Sequence, residues 1–238
     1  MTWSILARDG DGRFGVAIAS RAFAVGALCV HTRRGVGALA TQALVNPLYG
    51  PAGIGLLGEG RSPADIIDTL TAADAGRAQR QLHLIAAHGR GAAHTGENCI
   101  AWCGHQVFDD FSVAGNMLAG PQVLQATADA FAATAGQPLA ERLIAAMMAG
   151  EAAGGDKRGK QAAALRIHAD EDYPQLDLRV DDHTEPLVEL LRLYEVSLQR
   201  YQPFVACMPS RHNPAGELDR AVIEARIEAF RAARQRLL

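Results

Sequence analysis

The chain lacks the features that would place it on a membrane or a nucleic acid. It has no run of about 18 uncharged apolar residues, so it predicts no membrane span. Its start has no basic region followed by an apolar stretch, so no signal peptide is expected. Its formal net charge is −3 over 238 residues. That leaves no basic face of the kind carried by nucleic-acid-binding domains, whose pI lies above about 9. Lysine is nearly missing: Lys157 and Lys160 are the only two. Cysteine is sparse as well, with Cys29, Cys99, Cys103 and Cys207 in apolar surroundings. Without a secretory signal these read as reduced buried thiols, and the expected compartment is cytoplasmic. What is there is ordinary for a globular protein, 49% hydrophobic and 21% charged, and long enough for one large domain or two small ones.

Along the chain, strand and helix signals come in blocks. Trp3 to Ala7 and Phe14 to Ser20 read as strands joined by the Asp9-Gly10-Asp11-Gly12 turn. Leu28 to Arg33 and Gly35 to Gln42 read as the next two strands. Tyr49 to Gly58 reads as a glycine-rich helix. A second helix starts at Ser62-Pro63-Ala64-Asp65, with Ser62 as N-cap and Pro63 at the first helical position. Four strands follow (Gln81 to Ala87, Gly91 to Thr95, Cys99 to Val107, Phe111 to Leu118), then helices from Pro121 to Ala135 and from Pro138 to about Ala153. Gln161 to His168 and Leu176 to Asp181 form a last strand pair. From Glu185 the chain is helical, closing with a helix from about Ala215 to Leu238. This order predicts an α+β fold, a four-layer αββα sandwich of two antiparallel sheets with a C-terminal helical extension. The expected division is a domain over 1–184 and an extension over 185–238. The closing helix has an apolar stripe that packs on its own domain or on a partner, as in a homodimer or larger homo-oligomer.

Thr2 follows the initiator Met1, and a residue that small lets an aminopeptidase expose it. A threonine with a free α-amine joins nucleophile and base in one residue: the hydroxyl attacks, and an amine of pKa about 7.7–8.0 takes its proton. Candidate catalytic residues are Thr2, His31 as a proton carrier on the third strand, and Thr41, whose Ala40-Thr41-Gln42 segment would supply an oxyanion donor. Candidate substrate-binding residues are Ser4, Ser20, Arg21, Gln42, His94 and Asn116. Ser4 shares the strand face of Thr2, Arg21 can hold a carboxylate bidentately, and His94 and Asn116 fall near strand ends.

Other motifs read as structural. Asp181-Asp182-His183 fits a strand-ending turn or helix cap better than a metal site, since neighbours on a strand point to opposite faces. Cys99, Cys103 and His105 read as core and edge, not zinc. Gly154 to Gly159 lacks the P-loop order and reads as a structural loop, or as a lid presenting Lys157 and Arg158 to an anionic ligand. No cofactor and no metal are implied.

Several segments together resemble a bacterial family, the domain-of-unknown-function 1028 family of the Ntn-hydrolase superfamily. They are Thr2 to Asp9, Ala19 to Gly26, Gly35 to Gln42, Ala93 to Gly96, Gly115 to Leu118, Gly154 to Gln161 and Asp177 to His183. The resemblance runs from residue 2 to about 190 and implies the αββα fold without naming a substrate. A weaker resemblance, to proteasome-type β-subunits, rests on the opening threonine and the Ser20-Arg21 pair ending the second strand. The chain departs from that pattern in two places: Ala19 stands where those enzymes have an aspartate, and the third strand carries no lysine. Two function classes follow. One is an amidohydrolase cleaving a small amide through Thr2. The other is an inactive Ntn-like fold that binds a small molecule or serves in assembly.

Overall fold

The computed structural model describes residues 2–236. Whether Met1 is removed, and the end of the closing helix at Leu238, lie outside those residues. Among the described residues ten strands form two antiparallel sheets. The larger has the order β10-β9-β2-β1-β8-β7, from β1 (Thr2–Arg8), β2 (Phe14–Ser20), β7 (Gly104–Val107), β8 (Phe111–Asn116), β9 (Ala162–His168) and β10 (Leu176–Val180). The smaller has the order β3-β4-β5-β6, from β3 (Val30–Arg33), β4 (Gly37–Ala43), β5 (Arg80–Ala86) and β6 (Ala92–Thr95). Helices α4 (Gln122–Ala133) and α5 (Leu139–Ala152) cover the outer face of the larger sheet, and α2 (Tyr49–Gly58) and α3 (Pro63–Ala72) that of the smaller. The chain is therefore the αββα sandwich that its element order implies.

The inner strands β1, β2, β4 and β5 are buried on both faces, so side-chain alternation sorts their residues between two interiors. On β1, Trp3, Ile5 and Ala7 face α4 and α5, while Thr2, Ser4 and Leu6 face the other sheet. On β4 and β5, Leu39, Leu82 and Leu84 pack with Tyr49, Leu57 and Ile66 under the helices. Ala38, Ala40 and Ile85 turn inward onto Phe14, Val16 and Ile18 of β2. Close layers need a small residue at Gly150 of α5, where any side chain would strike Thr127 of α4 and Trp3 of β1.

Two expectations about strands are corrected. The third strand begins at Val30, because Gly26–Cys29 forms the short helix α1 after Ala24, whose φ is +53°. Cys99 to Cys103 is not strand: it is an irregular turn leading into β7, so Cys99, Cys103 and His105 do not share a strand face. The N-cap of α3 is as read, with Ser62 Oγ accepting from the Asp65 amide at 3.2 Å.

The chain divides into two compact units, residues 1–190 and 191–238. In the second, α7 (Tyr201–Val205) and α8 (Arg220–Gln235) are tied by Arg200 to Glu224. Helix α8 starts at Arg220, not near Ala215, because Asp219 caps it through the Ala221 amide and Gly216 has φ +68°. Helix α6 (Pro186–Gln199) spans the division. Among the described residues no helix is long and apolar enough to cross a membrane.

Candidate functional site

Thr2 sits at the end of β1, directly opposite Ser20 on β2 and Asn116 on β8. Residues opposite one another in antiparallel strands project on the same side. The three therefore form a row on the inner face of the larger sheet. Thr2 Oγ1 donates to Ser20 Oγ at 3.0 Å, and Asn116 Nδ2 donates to the Thr2 carbonyl at 3.4 Å.

Behind this row runs a buried polar chain across the two sheets. Ser4 Oγ donates to Gln42 Oε1 at 2.8 Å and lies 2.8 Å from His83 Nε2. Its one proton goes to Gln42, so it accepts from His83 Nε2–H. His83 Nδ1 then accepts from Ser112 Oγ at 2.7 Å, which assigns the imidazole tautomer. Burial, with a smaller contribution from the charge of His105, pushes His83 down to about 3 and keeps it neutral. Gln81 joins the chain to the threonine row: its Oε1 accepts from Gln42 Nε2 at 2.8 Å and from Asn116 Nδ2 at 2.9 Å. Its Nε2 donates to Thr95 Oγ1 and to the carbonyls of Gly104 and Gly115.

The candidates named from sequence thus separate by sheet face. Thr2, Ser4, Ser20, Gln42 and Asn116 converge between the sheets. Arg21 lies just past β2 at their open end, where its amide donates to Asp156 Oδ2 at 2.9 Å and its guanidinium to the Arg158 carbonyl at 3.1 Å. Thr41, His31 and His94 do not join them. Thr41 is one residue out of phase with Gln42, and its hydroxyl reaches the Asn46 carbonyl beneath the helix layer. His31 pairs with Leu39 on that same outer face, its ring against Gly50 of α2 and its Nε2 3.2 Å from the Leu28 carbonyl. His94 pairs with Leu82 and lies 2.9 Å from the Arg77 carbonyl. Asp181, Asp182 and His183 serve three different ends, contacting Arg179, Gln161 and the Glu185 amide.

A cavity of about 410 Å³ opens beside Asn116, lined also by Asn98, Leu44, Ile100, Met117 and Arg158. Two of its residues adopt left-handed backbone, Ala43 (φ +71°) at the end of β4 and Met117 (φ +53°) after β8. Such conformations cost of order 1–3 kcal/mol in non-glycine residues, and they gather where a site dictates backbone geometry. A larger hollow of about 590 Å³ lies between α2 and α3, but none of the converging residues reaches it. A smaller one of about 200 Å³ touches Ser20, Trp3 and Asp156 behind the row.

An αββα stack whose first strand aims a threonine into the gap between its sheets is an Ntn-hydrolase-like fold. Within that class the chain belongs to the family of unknown function DUF1028, whose pattern matches residues 2–190. The crystal structure of a member, protein SPO2555 from Silicibacter pomeroyi, superposes with a TM-score of 0.85 at 31% identity, covering 92% of this chain and 96% of that one. Anbu, the ancestral beta-subunit from Yersinia bercovieri, is similar at a TM-score of 0.41 and 12% identity, over 82% and 94% of the two chains. No curated protein matches the chain.

Proposed function

We propose that the chain hydrolyses an amide or peptide-like C–N bond of a small molecule, with Thr2, freed of Met1, as nucleophile. The Thr2 hydroxyl adds to the carbonyl carbon and passes its proton through the α-amine to the departing nitrogen. The C–N bond breaks, an ester to Thr2 forms, and water cleaves that ester to release the acid. The observation that carries this reading is the row Thr2–Ser20–Asn116, facing the inter-sheet gap next to a cavity with strained walls. Ser20 would orient the hydroxyl, and Asn116 would hold the carbonyl end of the same residue.

The second reading, an inactive fold that binds a small molecule, is favoured by the partners of Thr2. Among the described residues these are a hydroxyl and an amide, while Lys157 and Lys160 are engaged with Ala101 and with Glu151 and Glu185. Intact-mass measurement separates the two. The hydrolase requires protein lacking the initiator methionine, and amide turnover that Thr2→Ala abolishes. Protein from a processing-competent host that keeps Met1 would rule out the free-amine mechanism.

A further inference from the structure

Five large apolar side chains stand in water on three connections. They are Phe23 (71% exposed) and Leu28 (56%) between β2 and β3, Leu44 (62%) and Leu48 (76%) between β4 and α2, and Ile100 (57%) between β6 and β7. These connections leave β2 at Ser20, β4 at Ala43 and β6 at Thr95. Strand register puts all three points at the Thr2 end: Thr2 faces Ser20 and Asn116, Asn116 bonds Gln81, and Gln81 faces Gln42 and Thr95. The connections also touch. Val45 packs on the cluster that holds Val25 and Cys29, His31 lies between the Leu28 carbonyl and Gly50, and Leu44 and Ile100 line one hollow.

The face they make is almost without charge. Residues 22–32, 35–58 and 98–108 contain no Asp, Glu, Lys or Arg. Glu97 and Lys157, of opposite sign, border the Ile100 connection, and Lys157 Nζ donates to the Ala101 carbonyl at 2.8 Å. Arg158 is paired with Asp156 at 3.3 Å, and the Arg21 guanidinium donates to the Arg158 carbonyl. A charge-poor centre within a polar rim is the composition of a protein–protein interface. At these exposures the five side chains present about 500 Å² of apolar surface, more than half of the roughly 800 Å² that each partner buries in a stable complex. Exposed Ala22, Ala27 and Ala101 add to it.

We propose that this end of the chain docks against the same end of a second copy, as a two-fold dimer. A two-fold contact sets a surface against itself, so a charge near the axis would meet its own sign. A face without charge escapes that repulsion. A membrane surface is a poorer match, because amphipathic surfaces that bind lipid carry free cations beside their apolar residues. Here Arg21, Lys157 and Arg158 are engaged within the chain. The docked copy lies across the open end of the inter-sheet gap, where Thr2 sits. The pairing does not depend on what Thr2 does there.

The test is sedimentation velocity on the full chain over a concentration series. A dimer with Kd of about 10 µM or below is expected. Leu44→Asp and Phe23→Asp, at opposite sides of the face, should each raise that Kd at least about tenfold, since each sets a charge in the contact. Both positions are open to water in the single chain, so far-UV circular dichroism and the urea midpoint should not change. If one variant fails to fold, the other decides. Phe230→Asp on α8 and Thr2→Ala should leave the dimer intact. A monomer at every concentration, or a dimer that survives the folded face variants, would overturn the proposal. So would a dimer lost only in Phe230→Asp, which moves the contact to α8. Monomers that bind phosphatidylcholine vesicles through Leu44 and Phe23 would overturn it in favour of a membrane. Dimerisation without amide turnover would leave this inference standing and count against the hydrolase, and turnover by a monomer would do the reverse.

Discussion

Ser4 and His83 lie 2.8 Å apart on strands of different sheets, and their hydrogen bond is one of the polar ties through the middle of the sandwich. Because His83 is neutral in the folded protein down to about pH 3, folding is coupled to acid. The unfolded imidazole binds a proton below about 6.5, and the folded one does not until about 3. The stabilisation is complete above pH 6.5 and is lost progressively as pH falls from 6.5 toward 3. At pH 5 the loss from this residue is about 2 kcal/mol. Urea unfolding at pH 7.5 and pH 5.0 should show it, with a shallower pH dependence for His83→Gln. Burial also lowers His31, His105 and His168, so part of the acid sensitivity should remain.

Gln81 is the junction between that tie and the threonine row, and no apolar residue can replace it. Gln81→Leu would take the acceptor from Gln42 Nε2, the nearer of two acceptors from Asn116 Nδ2, and a side-chain donor from the Gly104 and Gly115 carbonyls. Each orphaned buried group costs about 1–3 kcal/mol, relieved in part by local shifts. The expected loss of stability is roughly 3 kcal/mol, read from the urea midpoint at an unchanged slope. A loss below about 1 kcal/mol would mean the network tolerates a gap.

The opening hairpin, the N-cap of α3 and the αββα order were legible because each depends on local chemistry or on the sequence of elements. Asp9 and Gly12 make their turn, and Ser62 caps its helix, without help from distant residues. Gln81, His83 and Ser112 were not legible as site-supporting residues. In Gln81-Leu82-His83-Leu84 the alternation is the signature of a half-exposed strand, polar side toward water. Here the leucines face helices and the polar side faces a second sheet, whose matching stripe of Thr2, Ser4, Ser112 and Asn116 comes from far along the chain. The polar alternation was the available signal, and pairing between sheets decided its meaning. The same one-residue phase explains Thr41: Gln42 faces the gap and its neighbour cannot. The Cys99 to Cys103 stretch carries strand-like residues, but its amides and carbonyls are spent on loop bonds, such as the Cys99 amide to the Gly96 carbonyl and the Trp102 carbonyl to the Leu118 amide.

Asp156 fastens the glycine-rich loop to the end of β2. Removing its carboxylate in Asp156→Ala deprives the Arg21 and Arg158 amides of their acceptor at once. The expected cost is about 1–3 kcal/mol. Most of it should appear as local opening, with faster hydrogen exchange across Gly154 to Lys160 and unchanged exchange in the β1–β2 ladder. Asp156→Asn keeps one acceptor oxygen and should fall between the two. Uniformly faster exchange throughout the first unit would show instead that the loop is integral to global stability.

The pH profile of turnover discriminates between bases. If the Thr2 α-amine accepts the hydroxyl proton, kcat/KM should climb about tenfold per pH unit and level off near pH 7.7–8.0, where that amine is neutral. Thr2→Ser keeps hydroxyl and amine and should keep the same inflection at a changed rate, whereas Thr2→Ala should have no activity. A histidine cannot imitate this curve from within the polar chain. His83 titrates near 3, and its two ring nitrogens are committed to Ser4 and Ser112. Any inflection it imposed would lie far on the acid side, where the fold itself is losing stability. A rate that is flat between about pH 6 and pH 9 would therefore exclude the amine as base, and with it the need to expose Thr2.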